Sequence, residues 1–239
     1  MANRFINKLR GFAELSASDV AALERATSRP ASVAPRQDLI REGDQPGPVL
    51  VMLDGWAFRY KVLPSGLRQI TAFLMPGDSC DLHIGLVGQM DHSIQTVTTA
   101  SVARISAAAM DAMMEEHPTI ARAMYIAQLV DEGTLRSWIV SMGRRSSAER
   151  VAHLLLELYI RAANIGLAHQ NSMALPLTQT VLADALGMTS VHLNRVLQKL
   201  RASGAIELQR SVLNILKPAV LTRTAGFDDA YLHRRVTAA

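Results

Sequence analysis

The segment LTQTVLADALGMTSVHLNRVLQKLRASGAI, residues 177–206, restricts the fold more than any other stretch of the chain. Val181, Leu182, Ala185 and Leu186 make one apolar face of a short helix, and Thr178 is placed to cap its start. Gly187 supplies a turn, because glycine accepts a positive φ without a side-chain clash. Thr189 then caps a second helix whose inward face is Leu193, Val196, Leu197 and Leu200, spaced i, i+3, i+4, i+7. Ser190, His192, Asn194, Arg195 and Lys199 are left on the other faces. Two short helices joined through a glycine, the second amphipathic, have the grammar of a helix-turn-helix.

The outward residues suit DNA. Arg195 offers two hydrogen bonds to guanine O6 and N7, and Asn194 suits an adenine or a phosphate. Ser190, His192 and Lys199 suit phosphates. With the cap and first-turn positions included, the candidate DNA contacts are Thr178, Gln179, Thr189, Ser190, Val191, His192, Asn194, Arg195 and Lys199, on a recognition helix of about 189–201. The β-rich runs in GAIELQRSVLNILK, 204–217, can form a wing. The window 178–217 sets Arg195, Lys199, Arg201, Arg210 and Lys217 against Asp184 and Glu207, a local surplus compatible with a polyanion. The plainer alternative is a helical hairpin with a polar outer face.

Upstream, residues 31–107 read as β. Short apolar runs alternate with the turn signals EGDQPGP, DG, PSG and PGD, a spacing that predicts a barrel or jelly roll, and residues 18–27 read as a helix before it. AAAMDAMMEEHP predicts a short helix ending near Pro118. A longer helix to about Met142 follows, with Ile120, Met124, Ala127 and Val130 at helical spacing. Such a helix either packs on its own domain or forms a seam with a second copy of the chain, and the polar DEG at 131–133 interrupts the stripe. Gly143 suits a C-cap, and Ser146 or Ser147 with Glu149 suits the start of the next helix, 148–163. The expected class is α+β, with a β-roll or jelly roll over 1–111, a long helix and hinge over 112–145, which is a dimerisation helix if it forms the seam, and a winged helix-turn-helix domain over 146–239.

PGDSCDLHIGLVGQMDHS, 76–93, holds the single cysteine, Cys80, with His83 and His92 and the acids Asp78, Asp81 and Asp91. Cys80, His83 and His92 are of types that ligate zinc, iron or haem. The C-x2-H spacing is weakly specific, and Cys80 reads equally as a small buried apolar residue. One cysteine excludes an internal disulfide framework and fits a reducing compartment. The N-terminal sixteen residues lack an apolar signal core, and no run of about 18 uncharged apolar residues occurs, so a soluble cytoplasmic protein without membrane contact is expected.

With LADALGMTSVHLNRVLQKLRASGAI as the most specific part, and with LIREGDQPGPVLVMLDGWAFRY and FLMPGD in the β region, the chain resembles the Crp/Fnr family of bacterial transcription regulators over nearly its whole length. The resemblance implies a cyclic-nucleotide-binding-like β-roll and a homodimer joined through helix 119–142. It further implies a near-palindromic duplex DNA operator, contact with RNA polymerase, and an effector or redox signal that reorients the DNA domains. Members that bind cyclic AMP carry a Gly-Glu pair and an Arg-Ser pair where this chain has Asp81-Leu82 and His92-Ser93. A permanently charged, bidentate guanidinium is thus replaced by a mostly neutral imidazole, which argues against cyclic AMP. The corresponding effector-pocket residues are Cys80, Asp81, Leu82, His83, His92 and Ser93. A four-cysteine iron–sulfur cluster is excluded by the single cysteine. The carbon-monoxide-sensing haem member takes ligands from a similar Cys/His segment, which keeps haem or a metal open as the signal. Where cyclic-AMP responders have Arg-Glu early in the recognition helix, this chain has Ser190-Val191, so its operator should differ, with Arg195 keeping the shared guanine contact.

A cupin-like metalloenzyme is the competing class. It needs an H-x-H pair, which occurs nowhere, and no G-x-S-x-G or H-E-x-x-H motif is present, so no catalytic residue is assigned.

Overall fold

The computed structural model describes residues 3–80, 82 and 88–233. Strands β1 (Ala31–Val33), β2 (Asp38–Ile40), β3 (Val49–Asp54), β4 (Ala57–Val62), β5 (Arg68–Leu74), β6 (Ser79–Cys80), β7 (Ser93–Thr96) and β8 (Ala100–Ile105) form two antiparallel sheets, ordered β1-β8-β3-β6 and β2-β7-β4-β5. Leu50, Met52, Ala57, Leu74, Cys80, Ile94, Ala100 and Val102 fill the space between them. The jelly-roll expectation holds.

Both sheets are also partly covered outside, which explains why β3 reads as a continuous apolar run from Val49 to Leu53. Val49 and Val51, alternating with Leu50 and Met52, face a helical layer made by α1 (Arg4–Arg10), α2 (Ala17–Ala26), α3 (Ala107–Glu116) and the first half of α4 (Pro118–Arg144). The seven-residue α1 escaped the sequence reading, although Asn3 accepts from the backbone N–H groups of Phe5 and Ile6, and Phe5, Ile6 and Leu9 make a buried face. The second sheet turns Phe58 and Phe73, paired across β4 and β5, toward α5 (Ser147–Asn164) and α6 (Gln179–Leu186). One apolar cluster therefore runs from Trp56, Phe58, Ile70 and Phe73 through Leu154, Leu155 and Leu158 to Leu182, Leu186 and Leu197.

Helix α4 narrows one expectation and corrects another. Ile120, Met124, Ala127 and Val130 bury against their own chain, so they are not the residues of a seam. A different face leaves Tyr125, Leu129, Ile139 and Val140 more than half exposed. The helix also continues through Gly143 to Arg144, and extended Arg145 ends it, so Gly143 is not the cap. The glycine with a packing reason is Gly133, where a Cβ would lie 3.1 Å from the carbonyl oxygen of Tyr231. Ser146 and Glu149 do form the expected capping box of α5.

Two buried polar clusters fasten the layers. In the PGD turn, Asp78 accepts from the backbone N–H of Met75 at 2.7 Å, from Lys8 Nζ of α1 at 2.7 Å, and from Arg161 Nη2 of α5 at 2.9 Å. Burial alone would raise the Asp78 carboxyl, but Lys8 and Arg161 hold it below its ordinary range. One turn back on α5, Glu157 is fully buried. It accepts from Trp138 Nε1 at 3.1 Å and from the Tyr231 hydroxyl at 2.9 Å, with Arg161 Nη1 at 3.6 Å. Burial pushes Glu157 up, and the attraction of Arg161 only partly offsets it. Phe227 and Tyr231 also pack around the buried ring of His153, at 4.8 and 6.0 Å between centroids. Burial pushes that imidazole down to about 4.

Candidate nucleic-acid interface

Helix α6 and helix α7 (Ser190–Ala202) are joined at Gly187, which sits at φ +59. A side chain there would be strained by the backbone and would collide with the terminal methyl of Met142. Thr178 accepts from Val181 N–H and Thr189 from His192 N–H, so both hydroxyls act as N-caps. Leu193, Val196, Leu197 and Leu200 are buried, as their spacing predicts.

The outward face of α7 carries Val191, His192, Arg195, Gln198 and Lys199, all exposed, and no Asp or Glu lies in the helix. Three of the sequence candidates, His192, Asn194 and Gln179, have side-chain partners. His192 Nε2 lies 2.7 Å from Ser147 Oγ at the start of α5, and Asn194 Nδ2 donates to Gln179 Oε1 at 3.1 Å. Thr178 and Gln179 are exposed at the start of α6, and Ser190 is half-buried. Sequence reasoning passed over Gln198, one turn beyond Arg195 on the same face, and Thr180 beside Gln179. The wing expected from 204–217 is present, but its tip was not named among the candidate contacts. Strands β11 (Ile206–Gln209) and β12 (Val212–Ile215) are joined by Arg210 and Ser211, both at positive φ. The sheet grows by a hairpin, β9 (Ala168–His169) and β10 (Ser172–Ala174). Arg210 is exposed at the wing tip.

The unit is docked on the β-roll. Arg68 of β5 pairs with Asp184 of α6 at 2.7 Å, and Gln69 Nε2 donates to the Ala185 carbonyl at 3.3 Å. Arg150 of α5 donates to the Leu186 carbonyl at 3.0 Å, satisfying the C-terminus of α6.

A second concavity, about 370 Å³, lies between the β4–β5 sheet and α4. Leu82 and His92 line it with Arg59, Lys61, Asp91, Asp131 and Glu132. His92 Nδ1 lies 2.6 Å from Asp91 Oδ1, and that contact holds the Asp91 carboxyl below its ordinary range. Ser93 Oγ accepts from Glu42 N–H at 3.0 Å. Cys80 is fully buried between the sheets, opposite Leu50 in the ladder. Asp81 and His83 lie outside the described residues. Among the described residues no three His, Cys, Asp or Glu side chains converge as a metal site.

Residues 149–224 match the family model of a Crp-like helix-turn-helix domain, and residues 30–117 match that of a cyclic nucleotide-binding domain. The nitrogen fixation regulation protein FixK of Bradyrhizobium diazoefficiens is 32% identical over 168 residues, 70% of each chain. The transcriptional activator protein FnrL of Cereibacter sphaeroides is 26% identical over 178 residues, 72% of this chain and 70% of that one. In structure, FixK2 from Bradyrhizobium japonicum superposes with a TM-score of 0.75 at 23% identity, covering 84% of this chain and 98% of that one. These relatives are regulators, which does not favour the metalloenzyme alternative. The helix pair, the wing and the double-sheeted roll thus match in sequence and in shape, and this chain belongs to the Crp/Fnr family of transcription regulators.

Proposed function

We propose that the chain acts as a homodimer on a near-palindromic duplex operator, with one α7 in the major groove of each half-site. The observation that carries this is the exposed face of α7, where Arg195, Gln198 and Lys199 stand on a helix that contains no carboxylate. Arg195 reads guanine and Lys199 holds phosphate, with Ser190 and Thr178 at the edges of the same surface. His192, beside Ser147, supports the placement of α7 more than it contacts DNA. The dimer seam is the outward stripe of α4 around Leu129, Ile139 and Val140. The protein works in the cytoplasm, where RNA polymerase is its downstream partner; among the described residues no helix is long and apolar enough to cross a membrane. The working units are 1–111, 112–145 and 146–239.

The effector, if the protein uses one, is not a cyclic nucleotide. Against Arg59 and Lys61, the groove sets Asp91, Asp131 and Glu132, and Lys61 is itself paired with Glu42 at 2.9 Å. That balance offers a phosphate no surplus of positive charge. The test is a mobility-shift titration of the full chain on its own promoter DNA, with and without cyclic AMP. Specific binding unchanged by cyclic AMP is expected. Arg195→Ala should abolish specificity, while Lys199→Ala should weaken binding to all sequences and lower the salt slope by about 1. Unchanged specificity in Arg195→Ala would sink the assignment of the recognition helix.

A further inference from the structure

Val191 is the one large apolar side chain that α7 leaves exposed. It is 64% exposed in the first turn of α7, on a face otherwise made of polar side chains. A β-branched residue in an exposed helical turn loses rotamer freedom, and here burial returns little for that loss. Its place is nonetheless specific: it lies one turn before Arg195, at i and i+4, so the two side chains are neighbours on the helix surface. Two of the residues around them are otherwise engaged. His192 is turned to Ser147, and Asn194 is held by Gln179. The first two turns of α7 therefore lead outward with a guanidinium beside a bare isopropyl group.

We propose that Val191 is a specificity-determining residue that packs on the C5-methyl group of a thymine, one or two base pairs from the guanine read by Arg195. Thymine is the base that presents an apolar group in the major groove. The complementary choice, a cytosine amino group, calls for a carboxylate acceptor, and α7 contains none. The inference rests on the reading of α7 as the groove-entering helix, and it extends that reading from a guanine to a pair of neighbouring bases.

The experiment enriches random duplexes on the full-length protein and then remakes the enriched site with deoxyuridine in place of thymine, which deletes only the methyl group. The enriched half-site should hold a constant thymine within two base pairs of a constant guanine. Deoxyuridine there should weaken binding about three- to fivefold, the worth of one buried methyl group. Val191→Ala, an exposed change that leaves the fold alone, should bind the thymine and deoxyuridine duplexes equally. A half-site without that thymine, or a deoxyuridine penalty that persists in Val191→Ala, overturns the proposal. Failure to enrich any sequence removes the DNA-reading role of α7 itself, and the proposal with it.

Discussion

Arg161→Met tests the buried polar joint between the β-roll and α5. The guanidinium donates to the Phe73 carbonyl at 2.8 Å and to Asp78 at 2.9 Å, and stands 3.6 Å from Glu157. Methionine keeps most of the stem's packing and deletes the charge. Asp78 keeps Lys8 and the Met75 N–H. Glu157, fully buried, keeps only the Trp138 and Tyr231 hydrogen bonds. Removing one partner of a buried pair costs about 3–5 kcal/mol. At roughly 2–4 °C per kcal/mol for a chain of this size, the melting temperature should fall by about 6–20 °C. The loss should depend on pH. The carboxyl of Glu157 lies above its unfolded value of 4.5 because of burial, and without Arg161 it rises further. Between the two values the folded state holds more protons than the unfolded state, so stability falls as pH increases. Asp131, also raised by burial and also drawn down by Arg161, shifts the same way. With Arg161 in place the Asp78 carboxyl lies below its ordinary value of 3.8, and in the variant it keeps Lys8 as a counter-charge. Thermal melts should therefore show a larger Arg161→Met deficit at pH 8 than at pH 5. The double variant Arg161→Met/Glu157→Gln should recover part of the stability at pH 8 and flatten the slope. A deficit independent of pH, or a double variant no better than the single, would refute the assignment of the cost to an uncompensated Glu157.

Three further outcomes follow from other sites. Ile139→Asp, at a position 71% exposed on α4, should convert a dimer to a monomer in sedimentation velocity without lowering the monomer's helix content. Gly187→Val should lower stability by about 1–3 kcal/mol in chemical denaturation, because a β-branched residue is forced to positive φ. Arg68→Ala should release α6 from β5 and change DNA affinity in a mobility shift, while Arg41→Ala, in a surface pair with Asp38, should leave it unchanged.

What could be read in advance was local. Thr178, Gly187 and Thr189 act within a few residues of themselves, and the leucines of α7 announce their face by spacing alone. Position 133 shows the limit: a glycine in a polar DEG looked like an interruption of α4, and its reason is a carbonyl at residue 231. The joints behave alike. Arg161 meets Asp78 across 83 residues, Tyr231 meets Glu157 across 74, and Arg68 meets Asp184 across 116, and no periodicity links such pairs. Cys80 drew attention as a ligand type, and its apolar character proved the better guide to its place between the sheets. On α4, apolar spacing was visible, yet which stripe faced inward depended on the sheet that α4 covers.

The apolar cluster that runs from Phe58 and Phe73 into Leu154, Leu182 and Leu186 bears on how such a regulator can diversify. A reading head exchanged wholesale between relatives would arrive with an underside shaped for another roll. A mismatch would leave aromatic surface open to water and to neighbouring molecules. The outer face of α7 contributes nothing to that underside, since Val191, Arg195, Gln198 and Lys199 all point away from it. New target sequences can thus be acquired one exposed side chain at a time, while the head and the roll are inherited together.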